Sequence, residues 1–154
     1  MADPVTILGA IAAASQLAEQ GLKITLLLCQ IGSQVRDARD STNRQVEQVE
    51  QLISIARQII LNPSLQTENV ASVLKICLDE TGALDRILRK LVISSKHNRV
   101  LRFARSLKAV TKEREISDHF KSLERIKGLL TLCISERISW VFRPLSLKES
   151  IDCS

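Results

Sequence analysis

Tyrosine is absent from this chain of 154 residues, tryptophan occurs once, and aromatic residues make up only 3% of it. Glycine (5) and proline (3) are scarce as well. Strands draw on aromatic residues and hairpins on glycine- and proline-bearing turns, so these shortages argue against a sheet-based domain. Leu, Ile, Ala, Gln, Lys and Arg, which all tolerate helix well, fill the space instead. With 45% hydrophobic residues, the chain is long enough for one domain with a true core and too short for two. It contains no internal repeat, no low-complexity linker and no sustained heptad pattern.

Catalytic and cofactor signatures are missing too. No segment reads G-x-x-x-x-G-K-[ST], so the chain brings no phosphate-cradling loop of its own. His97 and His119 are the only histidines, and neither stands at metal-ligand spacing with two further ligands. Glu115 and His119 are four apart, which makes a surface pair. Asp79-Glu80 and the pair Glu113 and Glu115 read as solvated charges, and no glycine-flanked serine suggests a nucleophile elbow. The expectation is a protein that is not an enzyme and needs no cofactor or metal.

The start, Met1-Ala2-Asp3, lacks the basic segment of a signal peptide, and alanine at position 2 is incompatible with N-myristoylation. Cys153 stands one place from the end, so no prenylation is expected. Cys29, Cys77, Cys133 and Cys153 lie far apart, and three of them fall on apolar helix faces. They read as reduced, buried thiols of an intracellular protein.

What the chain does have is a strongly apolar first helix, residues 4–34. Asp3 is placed to accept from the first free N–H groups, and Pro4 occupies the first helical position, where its missing N–H costs nothing. Residues 5–18 carry no charge; Glu19 and Lys23 interrupt, and an apolar run resumes at 24–29. A membrane span needs about 18–20 mostly uncharged residues, and this helix stops short of that. It is therefore the centre of a bundle or a segment able to enter a lipid surface. Ala10, Ala14 and Ala18 recur every four residues, a spacing that permits close helix–helix approach in lipid or in a soluble bundle.

A charge-mixed stretch, 36–43, reads as a connection or a frayed helix start. Val46, Val49, Leu52, Ile53, Ala56, Ile59 and Ile60 form one stripe of period 3.6, ended by Asn62-Pro63-Ser64. Thr67 caps a third helix with the stripe Val70, Val73, Leu74, Cys77, Thr81, Leu84, Ile87, Leu88 and Leu91. Residues 94–98 read as a loop, 99–110 as a short basic helix, and Ile116, Phe120, Leu123, Ile126, Leu130, Cys133 and Ile134 as a last helix. The reading is all-α: an up-and-down bundle of four to five helices over residues 1–139, with an irregular tail over 140–154.

Charge is uneven. Residues 1–85 carry a net −4, residues 86–112 a net +9 with no acid among them, and residues 113–154 are neutral. Arg99, Arg102, Arg105, Lys108 and Lys112 share one helix face, opposite Val100, Phe103, Leu107 and Val110. Such a helix suits anionic lipid headgroups, each cation contributing about 1 kcal/mol. A plain solvated face is the other reading. Nucleic acid is disfavoured, because this face has no aromatics to stack on bases and no helix-turn-helix or zinc-finger spacing exists.

Residues 1–18, Met-Ala-Asp-Pro-Val-Thr-Ile-Leu-Gly-Ala-Ile-Ala-Ala-Ala-Ser-Gln-Leu-Ala, resemble the opening of the HeLo-like and SesA-type N-terminal domains of fungal NACHT (STAND, NLR-like) receptors. Lys112-Glu113-Arg114-Glu115-Ile116, followed by Leu123, Lys127, Leu130 and Leu132, resembles that family's final helix. The resemblance covers roughly 1–139 and implies an effector or signalling bundle, here expected as a free-standing chain. It implies a homo-oligomer on activation that acts in regulated cell death or heterokaryon incompatibility. The implied membrane-active segment is Pro4 to about Leu28, with Val5, Ile7, Leu8, Ile11 and Leu17 as insertion residues; the basic face above supplies the headgroup contacts. The expected location is cytoplasmic, with recruitment to the inner face of the plasma membrane. The alternative is an adaptor or decoy that pairs with the matching domain of a NACHT receptor and never touches lipid.

Overall fold

The computed structural model describes residues 3–34, 39–97 and 102–141, with side chains described over 3–33, 40–93 and 112–139. The chain is all-α. Among the described residues four α-helices follow in order: α1 (Pro4–Gln34), α2 (Arg39–Leu61), α3 (Glu68–His97) and α4 (Arg102–Val141), with a 3-10 turn, Pro63–Leu65, between α2 and α3.

The boundaries follow local chemistry. At the start of α1 the Asp3 carbonyl accepts from the Ile7 N–H at 3.1 Å. Asn62 ends α2 and caps the 3-10 turn, its side chain accepting from the Ser64 N–H at 3.1 Å. Thr67 caps α3: its hydroxyl accepts from the Val70 N–H at 3.3 Å, and its carbonyl from the Ala71 N–H at 2.9 Å. Gln66, 3% exposed, supplies a cap that composition does not reveal. Its amide donates to the Ile59 and Ile60 carbonyls at 3.1 and 3.2 Å, satisfying acceptors that the end of α2 leaves open.

Three expected boundaries are corrected. Of the stretch 36–43, residues 39–43 are the first turn of α2, the helix-start reading of the two, whereas α3 continues through residues 94–97, which were expected to form a loop. The short basic helix and the final helix are one helix, α4, 40 residues long. No glycine or proline lies between 102 and 127, so nothing in the backbone demands a break there. The helix also runs through Trp140 and Val141, two residues past the expected start of the tail; residues 142–154 lie outside the described residues.

Chain direction alternates, and the spatial order is α2–α1–α3–α4. α1 packs along both α2 and α3, and α4 along α3. Among the described residues α2 and α3 are not packed together along their lengths, so their connection crosses one end of the bundle. α1 reaches its two neighbours by presenting small residues inward. Ala10 and Ala14 are fully buried, and a Cβ on Gly21 would stand 2.6 Å from Ile53 Cγ1.

The core joins Leu17, Ile24 and Leu28 of α1, Val49, Leu52, Ile53, Ala56 and Ile59 of α2, Leu74, Leu84 and Leu88 of α3, and Phe120, Leu123 and Leu130 of α4. These positions reproduce the period-3.6 stripes of the sequence. A few polar ties pin the seams. The Thr81 hydroxyl, 1% exposed, lies 3.1 Å from Gln20 Oε1 and 2.9 Å from the Cys77 carbonyl. Gln48 Nε2 donates to Glu124 Oε1 at 3.1 Å between α2 and α4, and Lys127 Nζ reaches both Gln51 Oε1 (2.7 Å) and Glu124 Oε1 (2.6 Å).

Candidate functional site

α1 is largely apolar, yet only part of its apolar surface is buried. Val5, Leu8, Ala12, Ser15, Glu19, Leu22, Leu26 and Cys29 recur at intervals of three and four and are all exposed. At 1.5 Å per residue they mark one outward face about 36 Å long. Its large members are well in the open: Val5 is 73% exposed, Leu8 67%, Leu26 65% and Leu22 50%. The charges on this side, Glu19 and Lys23, hold each other at 2.7 Å. The hydrogen bond from Lys23, and then its charge, hold the Glu19 carboxyl below the usual carboxylate range. Ser15 and Glu19 divide the face into two apolar patches, Val5, Leu8 and Ala12 on one side and Leu22, Leu26 and Cys29 on the other, and exposed apolar patches of this kind mark a surface that meets another apolar surface.

The expected insertion residues divide. Val5 and Leu8 lie on the outward face, Ile7 and Ile11 are half-buried, and Leu17 is a core residue at 1% exposure. Val5 and Leu8 are open in the bundle as it stands. Leu22 and Leu26, absent from the expected set, extend the face beyond Glu19. The signal was present in the sequence as a continued spacing of three to four. Ala10 and Ala14 serve close packing within the bundle, and Ala18 packs partly buried against the core.

Of the basic residues, Arg99 lies outside the described residues. Arg102, Arg105 and Lys108 belong to the first turns of α4, with side chains outside the described set, and Lys112 is half-exposed. Direction decides what they accompany. α4 runs antiparallel to α3, as the contacts of residue 119 with 80 and 137 with 64 require, and α1 runs parallel to α3. The start of α4 therefore stands at the end of the bundle where α1 finishes. Val5 and Leu8 stand at the opposite end, while Leu26 and Cys29 lie toward the basic end.

The cysteines depart from expectation in one case. Cys77 is buried and Cys133 half-buried, but Cys29 is exposed; all three are free, and Cys153 lies outside the described residues. Burial, and then the nearby Glu80 carboxylate, push the Cys77 thiol up to about 12. A thiol held protonated at neutral pH is the reverse of an activated nucleophile, although His119 stands on the neighbouring helix. Among the described residues no three His, Cys, Asp or Glu side chains converge to hold a metal ion. None of the described helices is long and apolar enough to cross a membrane.

Compared with family models, curated proteins and solved structures, the chain returns no match.

Proposed function

We propose that the chain is a non-enzymatic effector or signalling module of a fungal NLR-like system, of the HeLo-like or SesA type, which docks on an anionic membrane surface in regulated cell death or heterokaryon incompatibility. The observation that carries this reading is the open apolar face of α1, from Val5 to Cys29. Docking is in the plane of the interface, not across it, because α1 is too short of apolar length to span and is engaged on both flanks by α2 and α3. Burying Val5, Leu8, Leu22 and Leu26 from their present exposure contributes about 4–7 kcal/mol, enough for reversible attachment. The cations at the start of α4 lie at the end of the bundle where Leu26 lies but on the helix diagonal to α1, so they favour an anionic surface through their field and not by touching headgroups beside α1. Several copies bound side by side constitute the oligomer expected on activation, and the module's place is the inner face of the plasma membrane.

The test uses the purified chain with neutral and anionic vesicles loaded with dye, read by co-sedimentation and by leakage. Leu8→Asp and Leu26→Asp are expected to keep the helical spectrum and melting temperature and to lose sedimentation. Charge reversal of Arg99, Arg102 and Arg105 is expected to abolish the preference for anionic vesicles. Failure of the wild type to sediment with either vesicle, in monomeric and oligomeric form, would overturn membrane docking. The same face would then be read as an adaptor surface for the matching domain of a NACHT receptor.

A further inference from the structure

We propose that the seam between α2 and α4 is a binding site for a small, soluble polyanion carrying two or more phosphate groups. This is the widest of the four seams, with few close backbone approaches, and it opens into a groove of about 560 Å3. That volume falls within the range of small-molecule sites.

Its chemistry is cationic. Arg44 stands on the α2 wall, and Lys121 and Arg125 on the α4 wall. Neither arginine enters an ion pair or hydrogen bond among the described residues. Among the described residues Lys121 has one ion-pair contact, with Asp118 at 3.5 Å, which is exposed, weak and easily exchanged. The carboxylate in the groove, Glu124, is 41% exposed but engaged through one oxygen, since Gln48 and Lys127 both donate to its Oε1. Three cations thus face the groove against one acid whose charge is neutralised from the side. Gln45 and Ser117 add hydrogen-bonding groups between them.

Guanidinium groups on opposite walls suit separate phosphates of one ligand, because each fork can take two oxygens of a phosphate. Phe120 forms the floor but is only 5% exposed, so it offers no stacking platform for a base. Recognition therefore rests on the phosphates and is indifferent to what they are attached to. The groove lies on the α2–α4 side, while α4 stands diagonally across the bundle from α1. A flat membrane meeting the apolar face of α1 does not reach it, and this site is independent of the proposed docking function.

One ligand held by Arg44 and Arg125 adds a tie between α2 and α4 to those of Gln48 with Glu124 and Lys127 with Gln51, so binding raises the melting temperature. With tripolyphosphate at 100-fold over Kd, a rise of about 5–10 °C is expected. ATP should act similarly, and orthophosphate much more weakly. Arg44→Ala and Arg125→Ala, both exposed substitutions, should each weaken tripolyphosphate binding at least tenfold by calorimetry. Arg57→Ala, on the exposed side of α2, should leave it unchanged. Vesicles containing phosphatidic acid, offered in place of the soluble anion, should not compete for the site. The proposal is overturned if sulfate at matched ionic strength gives the same shift, if the two arginine variants bind as the wild type does, or if phosphatidic acid vesicles displace tripolyphosphate.

Discussion

His119 on α4 places its Nδ1 2.6 Å from Glu80 Oε1 on α3, and both side chains are about three-quarters buried, at 22% and 24% exposure. The contact joins residues 39 apart in sequence. It fixes the height at which α4 lies along α3, since the apolar stripes alone would tolerate a slip of one turn. Removal of either partner leaves the other half-buried and unsatisfied. His119→Ala and Glu80→Ala should each destabilise by about 1–2 kcal/mol, and a double-mutant cycle in urea should return a coupling of about 1 kcal/mol. A coupling near zero would show that the pair does not hold the seam.

Gly21 lies against Ile53 and Val49 of α2. A methyl group there would meet Ile53 Cγ1 at 2.6 Å and Cδ1 at 2.9 Å. Gly21→Ala gains about 1 kcal/mol of helix propensity and loses about 1–3 kcal/mol to overpacking, a net destabilisation. Gly9 and Gly128 are matched controls, because a Cβ at either has nothing within 4 Å. Gly9→Ala and Gly128→Ala should raise the melting temperature, whereas Gly21→Ala should lower it. In the Ile53→Ala background, Gly21→Ala should cost less than it does alone.

Cys77 provides a pH signature. Its thiol is raised in the folded protein from about 9 to about 12 by burial. An acid with a raised folded value stabilises fully below its unfolded value and loses that contribution as pH climbs toward the folded one. Stability should therefore fall between pH 9 and 12, with about 1 kcal/mol of the loss by pH 10 traceable to this thiol. Cys77→Val should flatten that part of the profile in alkaline melts. At neutral pH an alkylating reagent should modify Cys29 at once and Cys77 only after unfolding.

Gln66 joins the end of α2 to the approach of α3 through two side-chain hydrogen bonds to backbone carbonyls. Gln66→Ala should cost about 1–3 kcal/mol, and Gln66→Leu should recover little of it, since volume is kept but the donors are lost. Chemical denaturation of the two variants distinguishes these contributions.

The helices and most core positions were legible in the sequence because α2 and α3 have polar outer faces, which give their stripes contrast. α1 offered no such contrast. Its inward face mixes Ala10, Ala14 and Gly21 with Leu17, Ile24 and Leu28, while leucines 8, 22 and 26 face out, so hydrophobicity does not separate the two sides. Only the packed structure shows which side is which. α4 was divided in two because the apolar positions 103, 107 and 110 fall roughly half a turn from 116, 120 and 123 in helical register. A change of face looks like a change of helix, but without glycine or proline the backbone continues. The groove was invisible for a simpler reason: Arg44 and Arg125 are 81 positions apart, and only the bundle's spatial order sets them across one seam.

That spatial order also governs biosynthesis. α1 needs two flanking partners, and the second, α3, is complete only some 60 residues after α1 ends. At about 5–20 residues per second, α1 waits roughly 3–12 s with the surface that will meet α3 uncovered. During that interval its alanine and leucine faces are open together, more apolar than anything the finished bundle shows. Chaperone dependence and premature capture by membranes should thus be set by the speed of translation through α2 and α3, and rare codons there should harm yield more than rare codons in α4.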